Sequence, residues 1–223
     1  MTEAAKSYGG GEVTRRVLIV DDHEVVRDGV KRLLEEQPGD IVCGEAGTPD
    51  EAIRQAQAGD WDAVILDLSF TGKGGLEVLK ELKQIRPRLP VLVLTMHSEE
   101  QYARRVFKAG AAGFITKDSP RAELSKAIHK VMEGGKYLSQ ALAEKLILDL
   151  EHGVERTPDK ILSDREFQVM RLIASGKTLS EIAGLLALSD KTISTYRARL
   201  MEKMGMRTNA ELTHYAIQNK LVD

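Results

Sequence analysis

The chain has 223 residues, 42% of them hydrophobic and 30% charged, with a net charge of −2. Such a length fits one or two domains with real cores, and the near-balance of charge excludes a strongly basic nucleic-acid coat. Cys43 is the only cysteine, which excludes an intrachain disulfide and a cysteine metal cluster.

Residues 1–14 are polar and glycine-rich and lack the apolar core of a signal peptide; they read as a disordered tail. From Arg16 to about Glu133, strand-like and helix-like segments alternate. Strands are expected at 16–20, 41–45, 63–67, 91–95 and 112–116, and helices at about 23–36, 49–58, 75–86, 99–109 and 120–133. Alternation of this kind predicts an α/β doubly wound five-stranded parallel sheet. Several helix starts are written locally. Thr48-Pro49-Asp50-Glu51 is a capping box with proline at the first helical position. Ser98-Glu-Glu-Gln101 repeats the capping pattern, and Ser119-Pro120 opens the fifth helix. Gly110 and Gly134-Gly135 mark helix ends. Cys43 lies in a short apolar run and reads as a small buried hydrophobe.

After Tyr137 the strands stop. Residues 139–151 read as one helix, and Glu151 to Lys160, with Gly153 and Pro158, as a polar linker. Such a composition change marks a domain boundary, so the expected units are a domain over 15–135, a linker with a helix over 136–160, and a helical domain over 161–223. The positive excess of the chain lies in this last part, with nine Lys and Arg against seven Asp and Glu. No stretch approaches the roughly 18 consecutive apolar residues of a membrane span, and a cytoplasmic protein is expected.

The chemistry gathers at strand ends. Asp21 and Asp22 follow the first strand, Asp67 follows the third, Thr95 ends the fourth, and Lys117 follows the fifth. The C-terminal strand ends of an open parallel sheet are where a site forms. Three carboxylates, a hydroxyl and an amine there suit a Mg²⁺ ion, which prefers oxygen ligands, and a phosphoryl group accepted on an aspartate. Taken singly, each residue has a plainer reading: an N-cap for Asp21 or Asp22, a turn for Asp67 before Thr71-Gly-Lys-Gly-Gly75. The joint arrangement on four strands favours the site.

Val17-Leu-Ile-Val-Asp-Asp-His23, Val64-Ile-Leu-Asp-Leu68, Val93-Leu-Thr-Met-His97 and Ala111-Ala-Gly-Phe-Ile-Thr-Lys-Asp118 resemble the motifs of the receiver domain of bacterial response regulators, a CheY-like, flavodoxin-like fold. The resemblance implies Asp67 as phosphoacceptor. Asp21, Asp22, Asp67 and the Ser69 carbonyl would hold Mg²⁺, with Thr95 and Lys117 at the phosphoryl group. It also implies Thr95 and Phe114 as a switch pair, Phe114 turning inward on phosphorylation; without the resemblance Phe114 reads as a core residue. Thr71 and Asp118 stand where many receivers have proline. Ser69 and His97 lie where side chains tune phosphoryl lifetime in the family.

From Leu162 the pattern is helical throughout. Ser163-Asp-Arg-Glu166 and Thr178-Leu-Ser-Glu181 are capping boxes for the first two of four expected helices, Gly176 closes the first, and Ser189 is the N-cap of the third. The tight link between the second and third gives a helix-turn-helix candidate. At about 100° per residue, Ile193, Leu200 and Met204 share one face of the third helix, flanked by Tyr196 and the Arg197 stem. Lys191, Ser194, Thr195 and Ala198 lie opposite, with Arg199 beside them. Small polar residues with cations nearby suit a DNA major groove; a solvated helix face is the plainer alternative. Met201, Met204 and Met206 read as packing residues.

The block from Leu162 to Ala183, then Ser189 to Tyr196 and Lys203-Met-Gly-Met206, resembles the LuxR-type helix-turn-helix domain. Receiver, linker and LuxR-type tail in that order resemble the NarL/FixJ subfamily. The resemblance implies a two-component transcriptional regulator, not an enzyme, with Lys191, Ser194, Thr195, Arg197, Ala198 and Arg199 as candidate DNA contacts. Ala198 stands where some relatives carry a cation. Implied partners are a sensor histidine kinase, double-stranded DNA and a second copy of the chain on phosphorylation, with no membrane, in the bacterial cytoplasm. Rival readings are weaker. A dehalogenase-type phosphatase needs a second aspartate where Ser69 stands. A P-loop needs Ser or Thr after Lys73, which is followed by Gly74. A LuxR-type sensor of a small molecule would not need the acidic pocket. A receiver with only protein-binding output would fail to bind a random DNA pool.

Overall fold

The computed structural model describes residues 14–36, 40–70, 74–96, 99–140, 142–144, 147, 158–219 and 221–222. The expected tail, most of the expected helix over 139–151, the linker residues 151–157, Thr71, His97 and the Ser98 cap lie outside that set.

Five strands, β1 (Arg15–Val20), β2 (Ile41–Ala46), β3 (Ala63–Leu66), β4 (Val91–Thr95) and β5 (Gly113–Thr116), form one parallel sheet in the order β2-β1-β3-β4-β5. β3 and β4 are buried along their whole length, as continuous apolar runs covered on both faces must be. The pleat then divides the core. Val17, Ile19, Ile65, Leu92 and Ile115 face Leu34, Leu124, Ile128 and Val131 of α1 (Glu24–Glu35) and α5 (Arg121–Met132). Leu18, Val20, Val64, Leu66, Val93 and Phe114 face α2 (Pro49–Ala58), α3 (Gly75–Ile85) and α4 (Glu99–Lys108). The chain leaves β1 toward β2 on one side and returns to β3 on the other. The resulting crevice lies above the C-terminal ends of β1 and β3.

Local signals place the helices, with two differences in detail. Thr48 caps α2 by accepting from Glu51 N, but the Glu51 side chain reaches back to Gly47 N, one residue before the cap. Ser119 does not cap α5, whose N-cap is Pro120. The Ser119 hydroxyl is instead 3.0 Å from that of Thr116, and its N–H donates to Thr116 O. These bonds close the turn after Lys117 without the proline many receivers use there. Beyond α5, Tyr137 lies along β5: its N–H donates to Ala112 O at 2.9 Å and its carbonyl accepts from Phe114 N at 3.2 Å.

A 3₁₀ turn (Pro158–Ile161) leads into four helices: α6 (Asp164–Ala174), α7 (Leu179–Leu186), α8 (Asp190–Met204) and α9 (Asn209–Gln218). Both expected capping boxes are complete, and Ser189 caps α8. The turn between α7 and α8 passes through Ala187 at φ 49°, a left-handed conformation that costs a non-glycine residue about 1–2 kcal/mol. Phe167, Met170, Ile173, Ile182, Ile193, Leu200, Met204 and Leu212 form the centre of the bundle. Glu166 is buried with them; its carboxylate accepts from Ser163 N and from Lys203 Nζ at 2.6 Å, tying α6 to α8. Burial opposes its charge, but those partners outweigh it and hold the carboxyl below its usual range.

Gly75 is where the fold constrains the crevice most closely. A Cβ there would lie 2.3 Å from Leu68 Cα and 2.7 Å from the Asp67 carbonyl oxygen. Only a bare backbone lets α3 start against the loop after β3. Gly75→Ala is expected to cost about 1–3 kcal/mol, as overpacking does, measured by denaturant unfolding; an unchanged midpoint would mean the loop moves aside freely.

Candidate phosphoacceptor site and nucleic-acid interface

Asp67 is 1% exposed, Asp21 3% and Thr95 0%, so charge at this end of the sheet is taken out of water. The backbone carries the strands' register past their ends: Asp67 N donates to Val20 O, and Lys117 N to Thr95 O, each at 2.9 Å. Lys117 therefore arrives from the β5 side of the sheet with its ammonium between two carboxylates, 2.6 Å from Asp21 Oδ2 and 2.8 Å from Asp67 Oδ2. Burial opposes the charge on Lys117, but the hydrogen bonds and negative charge of Asp21 and Asp67 outweigh it and hold the ammonium above its ordinary range. The second Asp67 oxygen accepts from Leu68 N at 2.7 Å.

Asp22 is more exposed and completes the acidic set. Ligand atoms of Asp21, Asp22, His23 and Asp67 all lie within 4.8 Å of one another. Three carboxylates in that space match the oxygen donors a Mg²⁺ ion selects. Two contributors were not expected from sequence. His23 Nδ1 is 2.8 Å from Asp22 Oδ1 and 3.2 Å from Asp21 Oδ1, and its N–H also donates to Asp21. Arg27, one helical turn on, donates to the Asp21 carbonyl at 2.8 Å and is itself held by Glu45. The histidine directly after the paired aspartates, with an arginine four residues later, is the signal that would have found both.

Ser69 is half-buried beside Asp67. Thr95 ends β4 at the same level of the sheet, fully buried. Phe114 is fully buried, in the cluster that contains Val93, Tyr102 and Val106. It lies on the same side of the sheet as Tyr102 and Val106 of α4. Cys43 is half-buried against the core rather than buried as expected, and burial, then the nearby Glu35, pushes its thiol up to about 12.

On α8, Ile193, Leu200 and Met204 are buried and Tyr196 is half-buried, while Lys191, Ser194, Thr195, Ala198 and Arg199 are exposed. Arg197 is placed apart from them: half-buried on the flank, its Nε donates to Asn209 Oδ1 of α9 at 2.8 Å. Thr195 Oγ1 donates to Lys191 O at 2.9 Å, which leaves its lone pairs free to face outward.

Comparison with known proteins agrees with both halves. Residues 17–129 match the response regulator receiver domain, and residues 160–216 match the luxR family of bacterial regulatory proteins. The response regulator UvrY of Escherichia coli O6:H1 is 37% identical over 206 residues, covering 92% of this chain and 94% of that protein. The chain belongs to the NarL/FixJ response regulators. The response regulator GacA of Pseudomonas viridiflava is 36% identical over 209 residues, 93% of this chain and 98% of its own. Among solved structures, RcsB from Salmonella enterica serovar Typhimurium, bound to promoter rprA in the presence of phosphomimetic BeF3⁻, aligns with TM-score 0.63 at 30% identity over 91% of this chain and 98% of that one. A further RcsB structure from Salmonella typhimurium aligns with TM-score 0.69 at 27% identity over 92% and 98%. This response regulator thus joins a receiver domain to a LuxR-type DNA-binding domain. No helix among the described residues is long and apolar enough to cross a membrane.

Removing Lys117 should show what it does for the receiver. Lys117→Ala leaves two buried carboxylates facing each other, at an expected cost of about 1–3 kcal/mol in metal-free protein. Mg²⁺ should recover most of it. Because the folded-state pKa of Lys117 is raised, its contribution is present below its ordinary value of 10.5 and is lost as pH rises through the raised one. The variant should therefore lack that alkaline loss, read by thermal unfolding with and without Mg²⁺.

Proposed function

We propose that Asp67 accepts a phosphoryl group from a sensor histidine kinase, and that this modification controls double-stranded DNA binding by α8 in a homodimer, in the bacterial cytoplasm. The observation that carries the reading is the Lys117 ammonium set between Asp21 and Asp67, 2.6 and 2.8 Å from their oxygens. Phosphoryl transfer rests chiefly on positioning and charge stabilisation. Asp67 Oδ2 attacks phosphorus as the bond to the donor breaks. Lys117 then exchanges its contact with the carboxylate for one with a phosphoryl oxygen, and the Thr95 hydroxyl donates to another. Asp21, Asp22, Asp67 and the Ser69 carbonyl are the residues to hold Mg²⁺, which when bound offsets repulsion between the carboxylates and an anionic donor. His23 and Arg27 keep Asp21 and Asp22 in place from the α1 side. The phosphoaspartate carries about two negative charges by analogy with other phosphorylated side chains, and it shifts an existing equilibrium between arrangements of the protein.

Relatives support the output half: RcsB structures include a DNA complex and two dimers bound to two parallel DNAs. Lys191, Ser194, Thr195, Ala198 and Arg199 are the face offered to the major groove. Arg197 is the weakest of the candidate contacts, since Asn209 holds it. A two-fold dimer would set two such helices about 34–36 Å apart, one helical turn of DNA.

The site assignment is checked by incubation with Mg²⁺ and a small phosphodonor, followed by mass measurement. Wild type should gain one phosphoryl group, Asp67→Asn none, and chelation of Mg²⁺ should suppress the gain. Labelling of Asp67→Asn at the wild-type level would move the acceptor elsewhere.

The DNA face is checked by salt-dependent binding. If Lys191 meets a phosphate, Lys191→Ala weakens all sequences alike and lowers the salt slope by about 1. If it meets a base, the loss concentrates at one position, at roughly 1–3 kcal/mol of discrimination. Thr195→Ala should alter preference with little change in slope. Normal affinity and preference in the Lys191→Ala, Thr195→Ala double variant would remove this face from consideration.

A further inference from the structure

Outside the phosphoacceptor pocket, two networks of charged side chains stand out among the described residues. One joins the domains. Arg105 of α4 donates to Leu162 O at 3.0 Å and to Asp159 O at 2.8 Å, with its guanidinium 4.1 Å from the centre of the Phe167 ring, which also meets Tyr102 edge-on. Arg165 of α6 forks onto Glu77 of α3, both distances 2.9 Å, and Lys80 pairs with Asp164. The other network lies on the β2 side of the sheet, and it ends on the backbone of the acidic pocket. Arg27 Nη1 donates to Asp21 O at 2.8 Å, its Nε lies 3.4 Å from Glu45 Oε2, and Lys31 Nζ donates to the second Glu45 oxygen at 2.9 Å.

Three observations give this second network a role. First, the Arg27 bond goes to a peptide. The Asp21 carbonyl belongs to the rigid unit that joins Asp21 to Asp22, so holding it fixes the direction in which the chain leaves Asp21 and hence where Asp22 starts. Second, the two aspartates are held differently. Asp21 donates from its N–H to Ala46 O at 3.2 Å, and its carboxylate meets His23 N and Lys117. The Asp22 carboxylate is more exposed, and its partner is the largely exposed His23 ring at 2.8 Å, so its place at the pocket depends on the backbone beneath it. Third, the guanidinium is enclosed. The Arg27 side chain is 16% exposed and lies over Gly47, where a Cβ would sit 3.5 Å from Nη1. Glu45 offsets its charge, and Lys31 in turn holds the Glu45 carboxyl below its usual range against the opposing effect of burial.

We propose that Arg27, anchored by Glu45, is a positioning residue that sets the pocket's preference for Mg²⁺ over larger divalent cations, by fixing the Asp21–Asp22 peptide and with it the Asp22 carboxylate. The inference rests on the reading that Asp21, Asp22 and Asp67 hold Mg²⁺. Mg²⁺ demands near-ideal octahedral geometry and binds less well once one ligand is free to wander. Ca²⁺ takes about six to eight oxygens in a flexible arrangement and tolerates the same freedom. Outer groups that orient ligands typically count for roughly 10–100-fold in metal affinity. A cation beside a metal site would, by repulsion alone, weaken metal binding. The two effects therefore have opposite signs. Loss of Arg27 weakens Mg²⁺ binding if Arg27 positions Asp22, and strengthens it if only the charge is felt.

The test titrates unphosphorylated full-length protein with Mg²⁺ or Ca²⁺ alone, following by nuclear magnetic resonance the Leu68 amide, which donates to Asp67. Arg27→Met keeps an unbranched side chain over Gly47 and removes its donors. It should weaken Mg²⁺ binding at least about tenfold and Ca²⁺ binding less than about threefold. Arg27→Lys restores a donor to Asp21 O and should return Mg²⁺ affinity to within about threefold of wild type. Unchanged or tighter Mg²⁺ binding in Arg27→Met would overturn the proposal. So would equal losses for the two ions, or an Arg27→Lys variant as weak as Arg27→Met. If Arg27→Met does not unfold cooperatively on heating, Glu45→Gln carries the test. It leaves the bond to Asp21 but loosens the other end of the guanidinium, and should weaken Mg²⁺ binding about threefold with Ca²⁺ binding unchanged; wild-type Mg²⁺ affinity there would equally overturn the proposal. Asp22→Ala separates this role from the metal reading beneath it. If that variant binds Mg²⁺ as wild type does, the metal assignment fails and the role of Arg27 falls with it. If it binds weakly while Arg27→Met binds normally, the metal assignment stands and only the role of Arg27 is removed.

Discussion

Two carboxylates buried side by side are the constraint on which this receiver turns. Asp21 and Asp67 are almost wholly removed from water, and like charges in that setting repel strongly unless a cation stands between them. Lys117 is that cation, and it comes from the far side of the sheet. β1, β3 and β5 must therefore end at one level, and the order β2-β1-β3-β4-β5 does this with β3 beside β1 and β4 bridging to β5. The crevice is both the place where the fold leaves backbone uncovered and the place where its charges are least comfortable. A group that relieves the repulsion, or replaces the ammonium's partner, acts on a balance already under load.

Much of this was legible from residues in order. The apolar runs were long enough and the intervening helices well enough capped to give the doubly wound sheet, and the acidic, hydroxyl and amine residues at strand ends gave the pocket. The Ser163/Glu166 and Thr178/Glu181 boxes gave the starts of α6 and α7, because a capping box is a local device whose partners are three residues apart. What was missed is non-local or against propensity. Arg27 and Glu45 meet across a strand and a helix. Ala187 in a left-handed turn defies the rule that would place glycine there, and the packing of α7 on α8 overrides it. The contact between domains was invisible, since Arg105, Glu77 and Arg165 look like ordinary solvated charges on amphipathic helices until the helices are placed.

The helical tail shows how position on one helix divides labour. α6 turns Asp164, Arg165 and Gln168 toward the receiver, while Glu166 faces inward to hold Lys203 of α8. Neighbouring residues thus serve different faces, so a displacement of α6 is shared with the helix that presents the DNA-reading residues. Packing of Phe167 between Arg105, Tyr102 and the bundle core makes the same link through apolar contact. The core is continuous from receiver to tail, and the domains are distinct in architecture more than in solvent.

Tyr137 gives the sheet an asymmetry of its own. By pairing with Ala112 and Phe114 it adds a short sixth rung to β5 and occupies hydrogen-bonding groups that an edge strand would otherwise display. Unpaired edges are templates for indiscriminate strand addition, a hazard for the proposed homodimer. With β5 sealed there, an encounter between receivers along that side has little backbone to zip onto and must be made by helix surfaces, whose side chains can discriminate one partner from another.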